Sequence, residues 1–213
     1  MIKLHGTYGS PFVRKVLYVL AVKKLPFEHI QQFPFTGDPE FLKISPLGKI
    51  PALEDGDLTL CDSTVICEYL EDSHPAPAVY PAGAADKARA RWLEELADSR
   101  VAELAAGIFF QRYMRAVVMK KESDEALVEK IITERLPPVL DHLESQVPAE
   151  GFIFGDITLA DVSLLCPFVN ASYAGYDVDP GRWPIFAGLL ARVKADPVMS
   201  GVLSDEAAAM GLG

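Results

Sequence analysis

Residues 74–85 read HPAPAVYPAGAA, and three prolines with a glycine in so short a stretch forbid both a continuous helix and an internal strand. A chain with such a break divides into two separately patterned parts. Before it, strand and helix signals alternate at short intervals; after it, helical periodicity dominates. The pattern predicts a mixed α/β domain over 1–78, a linker at 79–85 and an all-α domain over 86–213.

In the first part, IKLHG reads as a strand, PFVRKVLYVLAVKK as an amphipathic helix and PFEHIQQF as a second extended run, giving a βαβ opening. A polar connection holding Gly37 and Pro39 and a short helix follow. KIPALED and LTLC then form a hairpin, because Asp55-Gly56 supplies tight-turn chemistry between two apolar runs. A helix over STVICEYLEDS completes the order βαβ, short helix, ββα, which predicts a mixed four-stranded sheet. In the second part helices are expected over 86–119, 123–136, 137–147, 158–175 and 183–195, and none is assigned beyond Ala195. The stretch GDITLADV carries a capping box, with Thr158 as N-cap and Asp161 three residues later as its reciprocal partner. That commits Asp161 to a structural role.

Composition narrows the function. A formal net charge of -10 argues against a nucleic-acid surface, since a polyanion is repelled over most of the molecule. No uninterrupted apolar stretch approaches the length of a membrane span, and MIKLHG has no basic-then-apolar leader, so a cytoplasmic protein without membrane partners is expected. Three cysteines, Cys61, Cys67 and Cys166, lack paired spacing, and His5, His29, His74 and His142 share no helix face. Neither a disulfide framework nor a metal site is expected.

Three short stretches can carry chemistry. Ser10 stands before Pro11 at a helix start, so it reads as an N-cap that accepts from the Val13 amide, while its own hydrogen stays able to donate to an anion. Lys49-Ile50-Pro51 places a proline at a strand entry, either as an ordinary edge-strand proline or as a cis-proline that leaves the Ile50 backbone open to an added extended peptide. Ser63 reads as the N-cap of the next helix, whose positive end suits a carboxylate, and the adjacent Asp62 suits an ammonium. Together these last two match the zwitterionic head of an amino acid.

In this order, on a βαβ-ββα unit followed by a proline-rich linker and an all-α domain, the three stretches resemble the cytosolic glutathione transferases over essentially the whole chain. SPLGKIPALEDGDLTLCDS is similar to the family's glutathione-site segment, and GSPFVRKV to its serine-type classes, the phi, tau and theta-like groups and their bacterial relatives. The resemblance implies a thioredoxin-like N-terminal domain, a helical-bundle C-terminal domain, glutathione as cosubstrate without a metal, and a homodimer active in detoxification. It implies that Ser10 stabilises the glutathione thiolate, with Tyr8 as the competing donor. It further implies that Lys49 meets a glutathione carboxylate, that Ile50 before Pro51 pairs with the cysteinyl backbone, and that Asp62 and Ser63 hold the γ-glutamyl head. An electrophile pocket lined by Tyr8, Phe12, Phe35, Ile108, Phe109 and Tyr113 is expected, with a solvated helix face for Arg112 and Arg115. The sequence departs from the family pattern at Asp62, where glutamate or glutamine is more familiar, and no glycyl-end partner stands out in FTGDPEFLK. A glutathione-dependent isomerase or dehalogenase, or a non-catalytic binding module on the same fold, are the alternatives.

Overall fold

Four strands form one mixed sheet in the order β2-β1-β3-β4, with β1 at Ile2–Gly6, β2 at Phe27–Gln31, β3 at Ala52–Asp55 and β4 at Leu58–Cys61. This computed structural model describes residues 1–211. Strand β1 runs parallel to β2 and antiparallel to β3, which pairs antiparallel with β4. The pairing of Asp55 with Leu58 leaves Gly56-Asp57 as the hairpin loop, and Gly56 takes the positive φ of 59° that the turn demands.

Helix α1, Pro11–Val22, is the crossover between the parallel strands, and its residues Val13 to Leu20 are buried without a gap. It packs against α3, Ser63–Ser73, which buries Ile66, Cys67 and Leu70; a short α2, Pro39–Ile44, lies between β2 and β3. Gly6 ends β1 so close under α1 that a Cβ there would run into the Val13 side chain. Gly6→Ala is therefore expected to cost about 1–3 kcal/mol in urea unfolding, the range for overpacking a filled core.

The chain divides into two compact units, Met1–Val79 joined by the C-terminal stretch from Asp196, and Tyr80–Ala195. Within the second, α4 (Ala84–Leu96), α5 (Ala102–Phe109), α6 (Glu125–Lys130), α7 (Pro137–Gln146) and α9 (Pro184–Ala195) accompany the central α8 (Leu159–Tyr173). Every residue from Leu159 to Ala171 is buried, as expected of a helix apolar on all sides. The single helix expected over 86–119 is interrupted by wider π-helical stretches at Ala97–Val101 and Phe110–Val118, and a third follows α6 at Ile131–Arg135. A tenth helix, α10 (Pro197–Met210), lies where no helix was expected, and it packs on α1 in the first unit rather than in the helical one. Among the described residues no helix is long and apolar enough to cross a membrane.

Candidate active site

Register alone brings the three candidate stretches to one end of the sheet. His5 pairs with Ala52 and Ala52 with Cys61, so the end of β1, the start of β3 and the end of β4 lie in one line across three strands. Ser10 follows the first, Ile50-Pro51 precedes the second, and Asp62-Ser63 follows the third. Two inter-strand steps span about 10 Å. The Lys15 ammonium on α1 also donates to the Thr64 hydroxyl on α3 at 3.0 Å, which ties the two helix starts together.

Ser10 is the N-cap of α1, with extended backbone and its Oγ accepting from the Val13 N–H at 3.4 Å, and Pro11 opens the helix as expected. The cap uses the Ser10 oxygen as an acceptor, which leaves its hydroxyl hydrogen able to donate. The turn before it passes through Gly9, whose φ of 81° belongs to the left-handed region, and the Ser10 N–H donates back to the Thr7 carbonyl at 3.4 Å.

The Ile50-Pro51 peptide is cis. Of the two readings of Pro51 the cis-proline holds and the ordinary edge-strand proline does not, because β3 lies inside the sheet between β1 and β4. Pro51 instead stands at the end of an inner strand, one residue before the ladder begins at Ala52, so the Ile50 backbone lies outside that ladder. The loop leading to it is held by the buried Ser45, whose hydroxyl donates to the Lys49 carbonyl at 2.7 Å, and by the Phe35 N–H donating to the Gly48 carbonyl at 2.8 Å. The Lys49 side chain is exposed.

The cap of α3 is Asp62, not Ser63 as expected. Its Oδ1 accepts from the amides of Thr64 at 2.9 Å and Val65 at 3.3 Å, while Ser63 becomes the first helical residue and is buried. The reason is backbone geometry: Asp62 adopts φ 86° and ψ 128°, a positive-φ conformation outside the left-handed helical well, and this carries its carboxylate over the helix end.

Tyr8 sits beside Ser10 with its ring edge-on to His29 at 4.6 Å between centroids. Burial, then the charges of Asp205 and Glu206, push the Tyr8 phenol above its ordinary range, so it stays protonated. Burial lowers His29, and its Nε2 lies 3.1 Å from the Gly6 carbonyl, which can only accept; the ring is neutral with its proton on Nε2.

Phe12 is half-buried and Phe35 largely exposed at 72% with a positive φ of 57°. In the helical unit Phe109 stacks on Tyr113 at 4.9 Å and an interplanar angle of 13°. Ile108 is wholly enclosed and presents no surface, so it is a core residue rather than a pocket wall. Arg112 is held by Glu125 at 2.9 Å and Arg115 by the Glu122 carbonyl at 3.0 Å, which accords with a helix face rather than a substrate clamp. In FTGDPEFLK the Lys43 ammonium is held by Glu40 at 2.7 Å. Among the described residues no cluster of three His, Cys, Asp or Glu side chains is arranged to hold a metal ion.

Residues 4–78, which contain the whole sheet apart from its first residues, match the Glutathione S-transferase, N-terminal domain family. Glutathione S-transferase 3 of Zea mays is 34% identical over 168 residues, covering 76% of this chain and 74% of that protein. The chain belongs to the glutathione S-transferase family. A GST-like protein of Escherichia coli, YibF, is likewise 34% identical, over 77% of this chain and 79% of its own. The crystal structure of a glutathione S-transferase from Rhodospirillum rubrum superposes with a TM-score of 0.84 at 27% identity, covering 96% of this chain and 92% of that one. This glutathione S-transferase thus joins enzymes that use glutathione as cosubstrate.

One residue at the Tyr8–Ser10 turn had no assigned role in the sequence. Glu206, on the unexpected α10, accepts the Gly9 N–H at 3.1 Å and so touches the turn that carries both hydroxyls. Its only local signal was an acidic residue within a largely apolar stretch, matched 192 positions away by Arg14 in another.

Proposed function

We propose that this protein activates the thiol of glutathione as a thiolate at Ser10 and adds it to small, mostly hydrophobic electrophiles. The observation that carries the reading is the common register of the three stretches. An extended tripeptide is about 10 Å long, the width of two strand spacings, so one glutathione can lie across the ends of β1, β3 and β4. Its cysteinyl backbone meets Ile50, in the manner of an added strand, and its sulfur meets Ser10. The γ-glutamyl carboxylate faces the Ser63 end of α3, and its ammonium faces Asp62. Lys49 meets the other carboxylate. A free thiol of pKa about 8.5 is largely protonated at neutral pH, and a hydroxyl donor at a helix N-terminus favours the anion. The half-buried Phe12, two residues beyond Ser10, supports an apolar electrophile. A homodimer in the cytoplasm belongs to the same reading.

Retention on immobilised glutathione together with turnover of an activated aryl halide tests it. Retention without turnover of aryl halides, epoxides or unsaturated carbonyls favours a non-catalytic module, and turnover confined to a double-bond isomerisation or a dehalogenation favours those relatives. Asp62→Asn keeps the cap but removes the charge. It is expected to raise KM for glutathione about tenfold, the worth of one charged hydrogen bond, with the melting temperature within a few degrees of the parent.

A further inference from the structure

Arg14 and Glu206 form a charge pair with essentially no solvent around it, their side chains being 0% and 1% exposed. The Arg14 guanidinium donates from Nε to Oε2 of Glu206 at 3.0 Å and from Nη2 to Oε1 at 2.6 Å, a two-pronged geometry. The same Oε2 accepts the Gly9 N–H at 3.1 Å. Met210, one turn further along α10, presents its sulfur 2.9 Å from where a Cβ on Gly9 would stand. Helix α10 therefore presses on the turn from both a polar and an apolar contact.

Stability is a poor account of this pair, because a buried ion pair can often be exchanged for apolar residues of similar volume at little or no loss. What an apolar pair does not supply is an acceptor for Gly9, the residue between Tyr8 and Ser10. We propose that Glu206 is a positioning residue for thiol activation, holding the Gly9 amide so that the turn presents the Ser10 hydroxyl to the sulfur of glutathione. The inference rests on the Ser10 reading. Charge favours the arrangement: a lone buried carboxylate near a thiolate would oppose it, and Arg14 neutralises this one at hydrogen-bond distance. Among the described residues, Asp205 also faces this turn, its charge reaching Tyr8 from α10, and His29 packs on Tyr8 from β2 with its pKa lowered by burial.

Two double variants separate positioning from packing. Arg14→Met with Glu206→Gln removes both charges but leaves an amide oxygen for Gly9; Arg14→Met with Glu206→Leu removes the acceptor as well. The readout is the pH midpoint of kcat/KM with an activated aryl halide, alongside KM for glutathione and the melting temperature. The leucine pair is expected to fold and bind glutathione within about twofold of the parent, yet to shift the midpoint up by about one unit, a tenfold loss at neutral pH. The glutamine pair is expected to keep the parent midpoint. If the leucine pair does not fold, Glu206→Asp, which withdraws the carboxylate by one methylene, is expected to shift the midpoint in the same direction. An unchanged midpoint in the folded leucine pair, or in Glu206→Asp when that is the variant read, overturns the positioning role. Ser10→Ala distinguishes the two failures: a shift in Ser10→Ala without one in the leucine pair removes Glu206 alone, whereas no shift in Ser10→Ala removes the Ser10 reading and the inference with it.

Discussion

Ser10→Ala is expected to lower kcat/KM at neutral pH by about 10²-fold, the effect of removing one donor from a developing or stabilised anion. KM for glutathione should change little, since the proposed reading assigns the carboxylate and ammonium contacts to Lys49, Asp62 and Ser63. The same substitution removes the cap on the Val13 amide and should cost about 1 kcal/mol of stability. Ser10→Asp separates the two effects: it restores an acceptor for the cap, supplies no donor, and sets a negative charge beside the sulfur. Its activity should be as low as that of the alanine variant while its stability returns. Tyr8→Phe should cost severalfold at most, because the Tyr8 phenol does not sit at the helix start. A hundredfold loss there with an active Ser10→Ala would reverse the assignment of the two hydroxyls.

Asp161→Ala is expected to have the largest effect on stability. The Asp161 carboxylate is wholly buried and accepts the Ile153 N–H at 3.0 Å, the Thr158 N–H at 2.9 Å and the Thr158 hydroxyl at 2.9 Å. Burial raises its pKa, and the hydrogen bonds from Ile153 and Thr158 pull it back. Truncation strands these donors in a dry setting at the head of the most buried helix, a loss of about 3 kcal/mol. Asp161→Asn keeps one acceptor oxygen and should lose about half as much. Urea unfolding followed by circular dichroism measures both, and a loss below about 1 kcal/mol for the alanine variant would mean that water reaches the capping box.

Signals carried by adjacent residues could be read in the sequence, and signals carried by tertiary geometry could not. Ser10-Pro11, Asp55-Gly56 and Thr158 with Asp161 each act within a few residues, and the caps and the turn form at these positions. The cap of α3 was misassigned by one residue because Asp62 and Ser63 are both good caps by composition; the positive φ at Asp62 decides between them. Strand neighbours depend on topology, so the local pattern leaves an edge-strand proline and a cis-proline both open at Pro51; the inner place of β3 and the cis Ile50-Pro51 peptide decide between them. The π-helical turns within 86–119 use the same apolar residues as an α-helix and leave no periodic trace over so few positions. Pairing of Arg14 with Glu206 was beyond any local window, and with it the contribution of α10 to the Gly9 turn.

The central claim is that the protein makes glutathione a thiolate, and the ultraviolet absorbance of bound glutathione, titrated against pH, tests it most directly. The account expects a midpoint about two units below the free-thiol value of about 8.5, moving back toward that value in Ser10→Ala. A midpoint in the parent protein equal to that of free glutathione, under conditions where binding is complete, would contradict it.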